Sequence, residues 1–539
     1  MNQLVPLINN TPIRGLLDRI DPAGASAVRL LGAPVSTTMS PDGMRLYVVT
    51  APVTSTLPFL SLFLPSTSSV TEIDTKTNKV VGVPIAFGGG PVGPVVVSPD
   101  GTQAYLTTSS GDRTRVTIIN TGNSTFTRAG TLAGSVQGVV DTADGLRVFL
   151  GTMDSTANEW TVALVDGRTG AQVGKPLQIA GFPSGELATS PDGGRAYLTT
   201  VVVAGDTRST VVTVIDTADN TLMGTTVLDD SIADGGVVVS PDGAHAVQVT
   251  NTTSRLHTTV TMLDPGTGAV VGAPAGLDGL PSTYPAAIYV DGGDRLAVAT
   301  YTGSQSSLTI LDAADGTVVG TPVVMEGGGL AVVDQVTAFG EGDDRLYILS
   351  RYWDADESEY KTLATVVDTT DSTVVGTPLV LDGEPPPTNS VSVSPDRSRV
   401  FQTLRPASVS QGQPYISSVA MIGTDGTLIT APASVPGSIY RPVVFSPDGS
   451  RAYQLSENAK SVVTAIDATT GAVIGSPVAV NGRLGDDLFV AADGASAYVS
   501  TRITFFRLLL PIPLPFPIEF SLSITHVNAV DTADFVATI

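Results

Sequence analysis

Short apolar runs rich in Val, Ile, Thr, Tyr and Phe recur along the chain, bounded by Gly, Pro, Asp and Ser. Val211-Val212-Thr213-Val214-Ile215 and Leu308-Thr309-Ile310-Leu311 are examples. Such runs between turn-forming residues predict β-strands. Each group of four closes with a run such as Val318-Val319-Gly320-Thr321-Pro322. The proline in that last run (Pro84, Pro176, Pro274, Pro322, Pro378, Pro477) removes a backbone donor, so the fourth strand is expected at a sheet edge.

One phrase carries the repeat: an apolar run, a Ser-Pro-Asp-Gly turn, then a second run containing an aromatic. Intact turns begin at Ser40, Ser98, Ser190, Ser240 and Ser446, and degenerate copies turn at Gly145, Gly293, Asp343, Arg397 and Gly494. The ten turns fall at 43, 101, 145, 193, 243, 293, 343, 397, 449 and 494, a period near 50 residues. The glycine has a mechanical reason, because a tight hairpin needs a positive φ that glycine adopts without penalty.

Four antiparallel strands repeated at this period predict the blades of an all-β propeller, about ten in one ring. A stacked solenoid fits less well, since its repeats are usually shorter and do not carry two hairpin turns each. Two abutting smaller propellers are the remaining alternative, because ten blades exceed the usual four to eight. No linker or shift of composition separates any two units, which favours one ring. Arg29-Leu30-Leu31-Gly32-Ala33-Pro34 copies the fourth-strand phrase ahead of the first hairpin, while the last unit ends soon after its third strand. Residues near 28–35 are therefore expected to complete the outer edge of the tenth blade and close the ring.

Residues 1–27 are expected to form a short helical cap, or a linker from a larger surface protein, with the propeller over 28–539. Met1 to Asp21 carries an imperfect helical stripe cut by Pro6 and Pro12, and it lacks the basic start and apolar run of a secretory leader. The most apolar stretch, Phe505 to Phe520, has prolines at 511, 513, 515 and 517, so no lipid-spanning helix is expected there.

Composition removes several function classes. With 28 Lys+Arg against 51 Asp+Glu, the formal charge is −23, which argues against a nucleic-acid backbone as partner. The absence of cysteine excludes disulfides, thiolate metal sites and thiol nucleophiles.

The phrases Val-Ser-Pro-Asp-Gly followed by an Ala/Leu-Tyr strand, and Val-Thr-Val-Ile-Asp-Thr at Val212 to Thr217, resemble the YVTN-type propeller repeat of bacterial and archaeal surface proteins and of periplasmic YncE-like proteins. The resemblance spans nearly all of 28–539. It implies a propeller and a place outside the cell, at the cell surface or in the periplasm or envelope. It says little of function, since that family includes surface-layer modules, binding proteins and relatives of lactonases. Two features depart from it: the fourth strand ends in Val-Gly-Thr-Pro-like phrases, and ten copies exceed the family's seven.

No catalytic constellation stands out. His245, His257 and His526 have no metal-ligand spacing, and Gly88-Gly89-Gly90 is a loop without a nucleotide motif. The Asp ending many third strands (Asp74, Asp166, Asp216, Asp264, Asp312, Asp368, Asp467, Asp531) recurs in nearly every unit, which points to turn chemistry. Residues specific to one unit are better candidates. Glu186, Asp234, Tyr284, Asp334, Gln335, Tyr440, Arg441, Arg483, Asp486 and Asp487 fall in loops expected at one mouth of the tunnel. No cofactor is expected; the mouth carboxylates suit Ca²⁺, which prefers oxygen ligands, or a cationic or sugar ligand. Trp353 to Tyr360 reads as an acidic loop, and Asn158-Glu159-Trp160 as a loop presenting an aromatic suited to a carbohydrate.

The sharpest feature is a pair of apolar insertions between second and third strands. In the first unit the insertion holds Leu57, Phe59, Leu60, Leu62, Phe63 and Leu64. In the last it holds Phe505, Phe506, Leu508, Leu509, Leu510, Ile512, Leu514 and Phe516. Ring closure would make these units neighbours and set both insertions on one face. The favoured reading is thus a non-enzymatic surface or envelope propeller docking a protein partner or itself through them, with peripheral membrane contact as another use. The alternative is a lactonase-like or other hydrolase with a divalent ion at the tunnel mouth.

Overall fold

The computed structural model describes residues 27–535 apart from 52–67, 99, 111–112, 124, 134, 142–146, 155–158, 167–168, 170, 253–255, 284, 304, 326–331, 355–358, 387–389, 407–413 and 507–520. Ten antiparallel sheets of four strands each form a single propeller ring. In blade one the order is Ala33–Met39, Arg45–Ala51, Ser68–Asp74 and Lys79–Phe87, from the channel outward. The later blades repeat it, and the proline-bearing fourth strand is outermost as expected.

The turn between first and second strands works as its sequence requires. In blade one the Gly43 amide donates to the Ser40 carbonyl at 2.8 Å, with Gly43 at φ 65°. Ser40 Oγ donates to Asp42 Oδ1 at 2.6 Å, and the Met44 amide donates to the same oxygen at 2.9 Å. Equivalent serine bonds hold Asp192, Asp242, Asp396 and Asp448 below the ordinary carboxylate range, Asp448 down to about 2. Blades seven and eight place Asp343 and Arg397 at the glycine position with positive φ, and the two side chains pair with each other. The recurring third-strand aspartates also act on backbone: Asp74, Asp264 and Asp467, for example, accept amide hydrogens from residues two or three places on.

Both faces of each sheet are buried against neighbouring blades. The aromatic of the second strand sits in that seam: Tyr47, Tyr105, Phe149, Tyr197, Tyr347, Phe401, Tyr453 and Tyr498 are all about 1% exposed or less. Tyr197 donates across the seam to the Pro265 carbonyl at 2.7 Å. The Val-Gly-x-Pro phrase, which departs from the resembled repeat, has its own reason. Gly320 lies where the third-to-fourth strand register slips, at φ 65°, and a Cβ there would come within 2.5 Å of the Asp371 carbonyl in the next blade. Gly174 meets the Asp219 carbonyl in the same way.

The chain ends meet. Ala27–Leu31 pairs with Ser521–Asp531 from Ala27↔Asn528 to Leu31↔Ile524, supplying the outer strand of blade ten. Thr525 Oγ1 donates to the Gly32 carbonyl at 2.8 Å, and Tyr498 donates across the seam to the Thr75 carbonyl. Leu46, Val48 and Ile73 of blade one share a core with Tyr498 and Val527 of blade ten. This closure makes one ring and removes the two-ring alternative. The helical cap expected ahead of it lies outside the described residues, except Ala27, which is already in the closing strand.

Two measurements check these seams. A chain lacking residues 1–31 is expected to melt below one lacking 1–26, because only the first loses the closing strand and the buried Leu30, a side chain worth about 2–5 kcal/mol in such positions; equal melting would refute closure by this strand. Gly320→Ala should cost about 1–3 kcal/mol of unfolding free energy, clearly more than Gly205→Ala, whose φ is also positive but whose Cβ would meet open space.

Candidate functional site

The innermost strand is not continuous. In blades two, four, five, six and nine it is split into two short pieces, and in blades one, three, seven and ten a bulge interrupts its register. Most candidate mouth residues fall at this interruption, inside the first strand and not in a loop ahead of it. Arg483 instead opens the first strand of blade ten, and its Nε donates to Glu457 Oε1 at 3.0 Å. Glu186 falls between Phe182–Pro183 and Ala188–Thr189. Asp234 follows Ile232–Ala233, and Tyr440 and Arg441 follow Ser438–Ile439. Asp334 sits at the Val333/Gln335 slip, and Asp486 and Asp487 lie within the Leu484/Leu488 slip. Tyr284 is outside the described residues, as are the side-chain positions of Asp486 and Asp487.

Glycine lets adjacent bulges touch. A Cβ on Gly185 would fall 2.0 Å from the Gly236 amide nitrogen, and one on Gly236 would fall 2.5 Å from the Glu186 carbonyl. Ser184 Oγ donates to the Ala233 carbonyl at 3.2 Å. Glu186 is exposed, whereas Asp234 is half-buried and accepts from Asn251 Nδ2 at 3.3 Å. Burial raises the Asp234 carboxyl above its ordinary value of 3.8. The mouth carboxylates are distributed over blades four, five, seven and ten. Among the described residues, no three His, Asp or Glu side chains gather closely enough to hold a metal ion.

Asp334 and Gln335 line a cavity of about 530 Å³. Its walls come from blades six, seven and eight, and it straddles the inner strand of blade seven. Arg351, at the far end of the adjoining strand, holds Asp334 bidentately, with Nε and Nη2 each 2.7 Å from a carboxylate oxygen. Arg405 enters from blade eight and meets Glu384 at 3.5 Å. The sequence reading missed both arginines, and their only signal was position: each lies late in, or just after, a second strand, opposite an acid at the start of the first.

Comparison with known proteins supports the architecture alone. No protein-family model matches the chain, and no curated protein matches it. Among solved structures it is similar to "Crystal structure of the eukaryotic initiation factor", with TM-score 0.50 and 13% identity over 82% of this chain and 97% of that one. That is a likeness of fold. It also aligns with dihydro-heme d1 dehydrogenase NirN in complex with DHE, with TM-score 0.39, 16% identity and coverage of 85% and 78%. Hydrazine synthase of Kuenenia stuttgartiensis aligns with TM-score 0.34, 17% identity and coverage of 70% and 95%.

Several candidates change character. Trp160 is 2% exposed and packed in a core, so it is no carbohydrate platform. Its strand begins at Glu159, which turns the indole inward, where it fills the space above Gly151. The acidic segment at 353–360 begins and ends in strand: Trp353 pairs with Tyr360 and Asp354 with Glu359, and 355–358 lie outside the described residues. His526 is fully buried in a third strand, and His257 opens another. Most of the two apolar insertions, 52–67 and 507–520, lies outside the described residues. Phe505 and Phe506 end the second strand of blade ten, paired with Leu522 and Ser521. No helix among the described residues is long and apolar enough to cross a membrane.

The raised Asp234 carboxyl gives a pH test. The folded state binds this proton at a higher pH than the unfolded chain does, so the group's contribution to stability falls as pH rises from 3.8 through the raised value. Asp234→Asn is therefore expected to melt higher than the parent at pH 7, with the difference shrinking as the pH falls through the raised value toward 3.8. A constant difference across that range would show that burial does not set the Asp234 carboxyl.

Proposed function

We propose that this propeller is a non-enzymatic binding scaffold of the cell surface or envelope, docking a protein partner through the apolar segments of its first and last blades. The observation that carries this reading is the pairing of Ala27–Leu31 with Ser521–Asp531, which makes blades ten and one neighbours. Segment 52–67 joins the strands Arg45–Ala51 and Ser68–Asp74, and 507–520 joins Ser496–Phe506 and Ser521–Asp531. Both pairs open toward the same face, because the second and third strands of every blade run in the same sense.

Blade ten supports the reading further. Its second and third strands have 11 residues each, against seven in blade nine, and the surplus lies at the open end of the hairpin. Four more residues per strand carry that end about 13 Å further along the strand direction. Exposed apolar patches beyond a few hundred Å² usually mark interaction sites. Burying four Phe or Leu side chains in a partner contributes roughly 6–12 kcal/mol before association costs. The charge of −23 favours a protein partner over an anionic bilayer. The YVTN-type phrases support the surface or envelope location.

Replacing Phe59, Phe63, Leu509 and Phe516 together with Ser is expected to abolish self-association in sedimentation, or partner capture in pull-down, while leaving the melting temperature within a few degrees. Unchanged association by both measures would remove the docking role.

A further inference from the structure

The outermost strand of each blade presents a row of unpaired backbone donors and acceptors, and proteins blunt such edges with proline or charge. Nine of the ten fourth strands here follow that rule. Six blades carry a proline two residues after the glycine of this strand, as in Gly320-Thr321-Pro322. The fourth strands of blades two, eight and ten hold Arg128, Pro436 and Arg29. Blade four is the exception: Thr221–Leu228 reads Thr-Leu-Met-Gly-Thr-Thr-Val-Leu, with neither proline nor charge.

Thr226 stands where the six prolines stand. Proline is tolerated in a strand only where the amide points away from the sheet, so the Thr226 amide is an outward donor. Leu222, Met223 and Val227 beside it are 52%, 41% and 55% exposed. The register sets Leu222 opposite Ile215 and Val227 opposite Val211, so both project over the same side of the sheet. Blade five holds this edge in shape. Thr226 Oγ1 donates to the Gly268 carbonyl at 2.6 Å, and a Cβ on Gly224 would fall 2.0 Å from the Thr267 carbonyl.

Charge decides what such an edge can take. Exposed acids stand at both ends, Asp219 before the strand and Asp229 and Asp230 after it. Two copies pairing edge to edge, with Thr221 of each against Leu228 of the other, would set Asp219 of each against Asp230 of the other. That contact is repulsive, and the charge of −23 on each ring adds to the repulsion. A strand with basic ends meets the opposite sign at both.

We propose that the outer edge of blade four takes up an extended peptide as an added strand, alternately apolar and ended by lysine or arginine. The peptide's main chain would pair with the edge at Thr226, and its apolar side chains would cover Leu222 and Val227. This site goes beyond the docking reading and lies on another blade, so either stands without the other.

The test is fluorescence anisotropy of the full chain with a labelled peptide of alternating valine and threonine ended by lysines. Saturable binding is expected. It should weaken about tenfold when alternate peptide amides are N-methylated, which removes main-chain donors. It should weaken by about as much, at low salt, when glutamates replace the lysines. Thr226→Pro gives blade four the phrase that six other blades carry, and should lower affinity about tenfold with the melting temperature within a few degrees of the parent. If that variant fails to fold, Val227→Lys serves for the same readout. No saturable binding, binding untouched by N-methylation or by the edge variant, or equal affinity for lysine- and glutamate-ended peptides would each overturn the proposal. So would sedimentation of the chain alone as a dimer that Thr226→Pro dissolves, because a second copy would then be the occupant.

Discussion

Each sheet here is apolar on both faces, and that single constraint decides the architecture. A four-stranded sheet with one bare face is not stable in water, so every blade must lean on two others. The contact is made chiefly by second-strand aromatics, buried to about 1% or less and, in Tyr197 and Tyr498, tied by their hydroxyls to the backbone of the next blade. Such an arrangement has no natural end except closure. The last open face is covered when blade ten meets blade one, and the last open strand edge moves outward when Ala27–Leu31 pairs beside Ser521–Asp531. Ten blades in place of the usual number follow from the same logic: the ring grows until its two bare faces coincide.

Much of this was legible in the chain because it rests on local chemistry repeated many times. The Ser-Pro-Asp-Gly turns, the edge prolines and the displaced strand phrase near Arg29 each have a mechanism visible in a few residues. The candidate site was harder to read, for physical reasons. Glu186, Asp234 and Asp334 were identified, but their setting was not, since a bulge inside the first strand depends on register with the second strand and leaves no fixed signature of its own. Trp160 was misread because strand ends are the least certain part of any pattern; two residues of extra strand, Glu159 and Trp160, turned it from the rim into the core. Arg351 and Arg405 come together only through the packing of adjacent blades, about 50 residues apart in sequence.

The acidic excess invites a functional reading that the turns do not support. Six aspartates in first-to-second-strand turns accept a serine hydroxyl, and eight at third-strand ends accept backbone amides. These fourteen carboxylates, of 51 acids in all, are the cost of making the same two turns in ten blades. Much of the negative charge is therefore a by-product of repetition, spread around the ring and not focused on a ligand. It still acts on partners, by repelling anionic surfaces at long range, but it specifies none.

In a protein of this kind, function is to be sought where one unit breaks the rule that the others obey, provided the break is not repaired. Blade three shows a repaired break: glycine replaces a seam side chain, and a tryptophan from the next strand takes its place. Blade six absorbs its break in another way: Ala297 and Ala299 are buried in a core shared with Leu308, Ile310, Leu346 and Ile348 of blades six and seven. Close-packed interiors gain dispersion energy by filling voids, so a smaller side chain in one seam is met by its neighbours, as Gly151 is by Trp160.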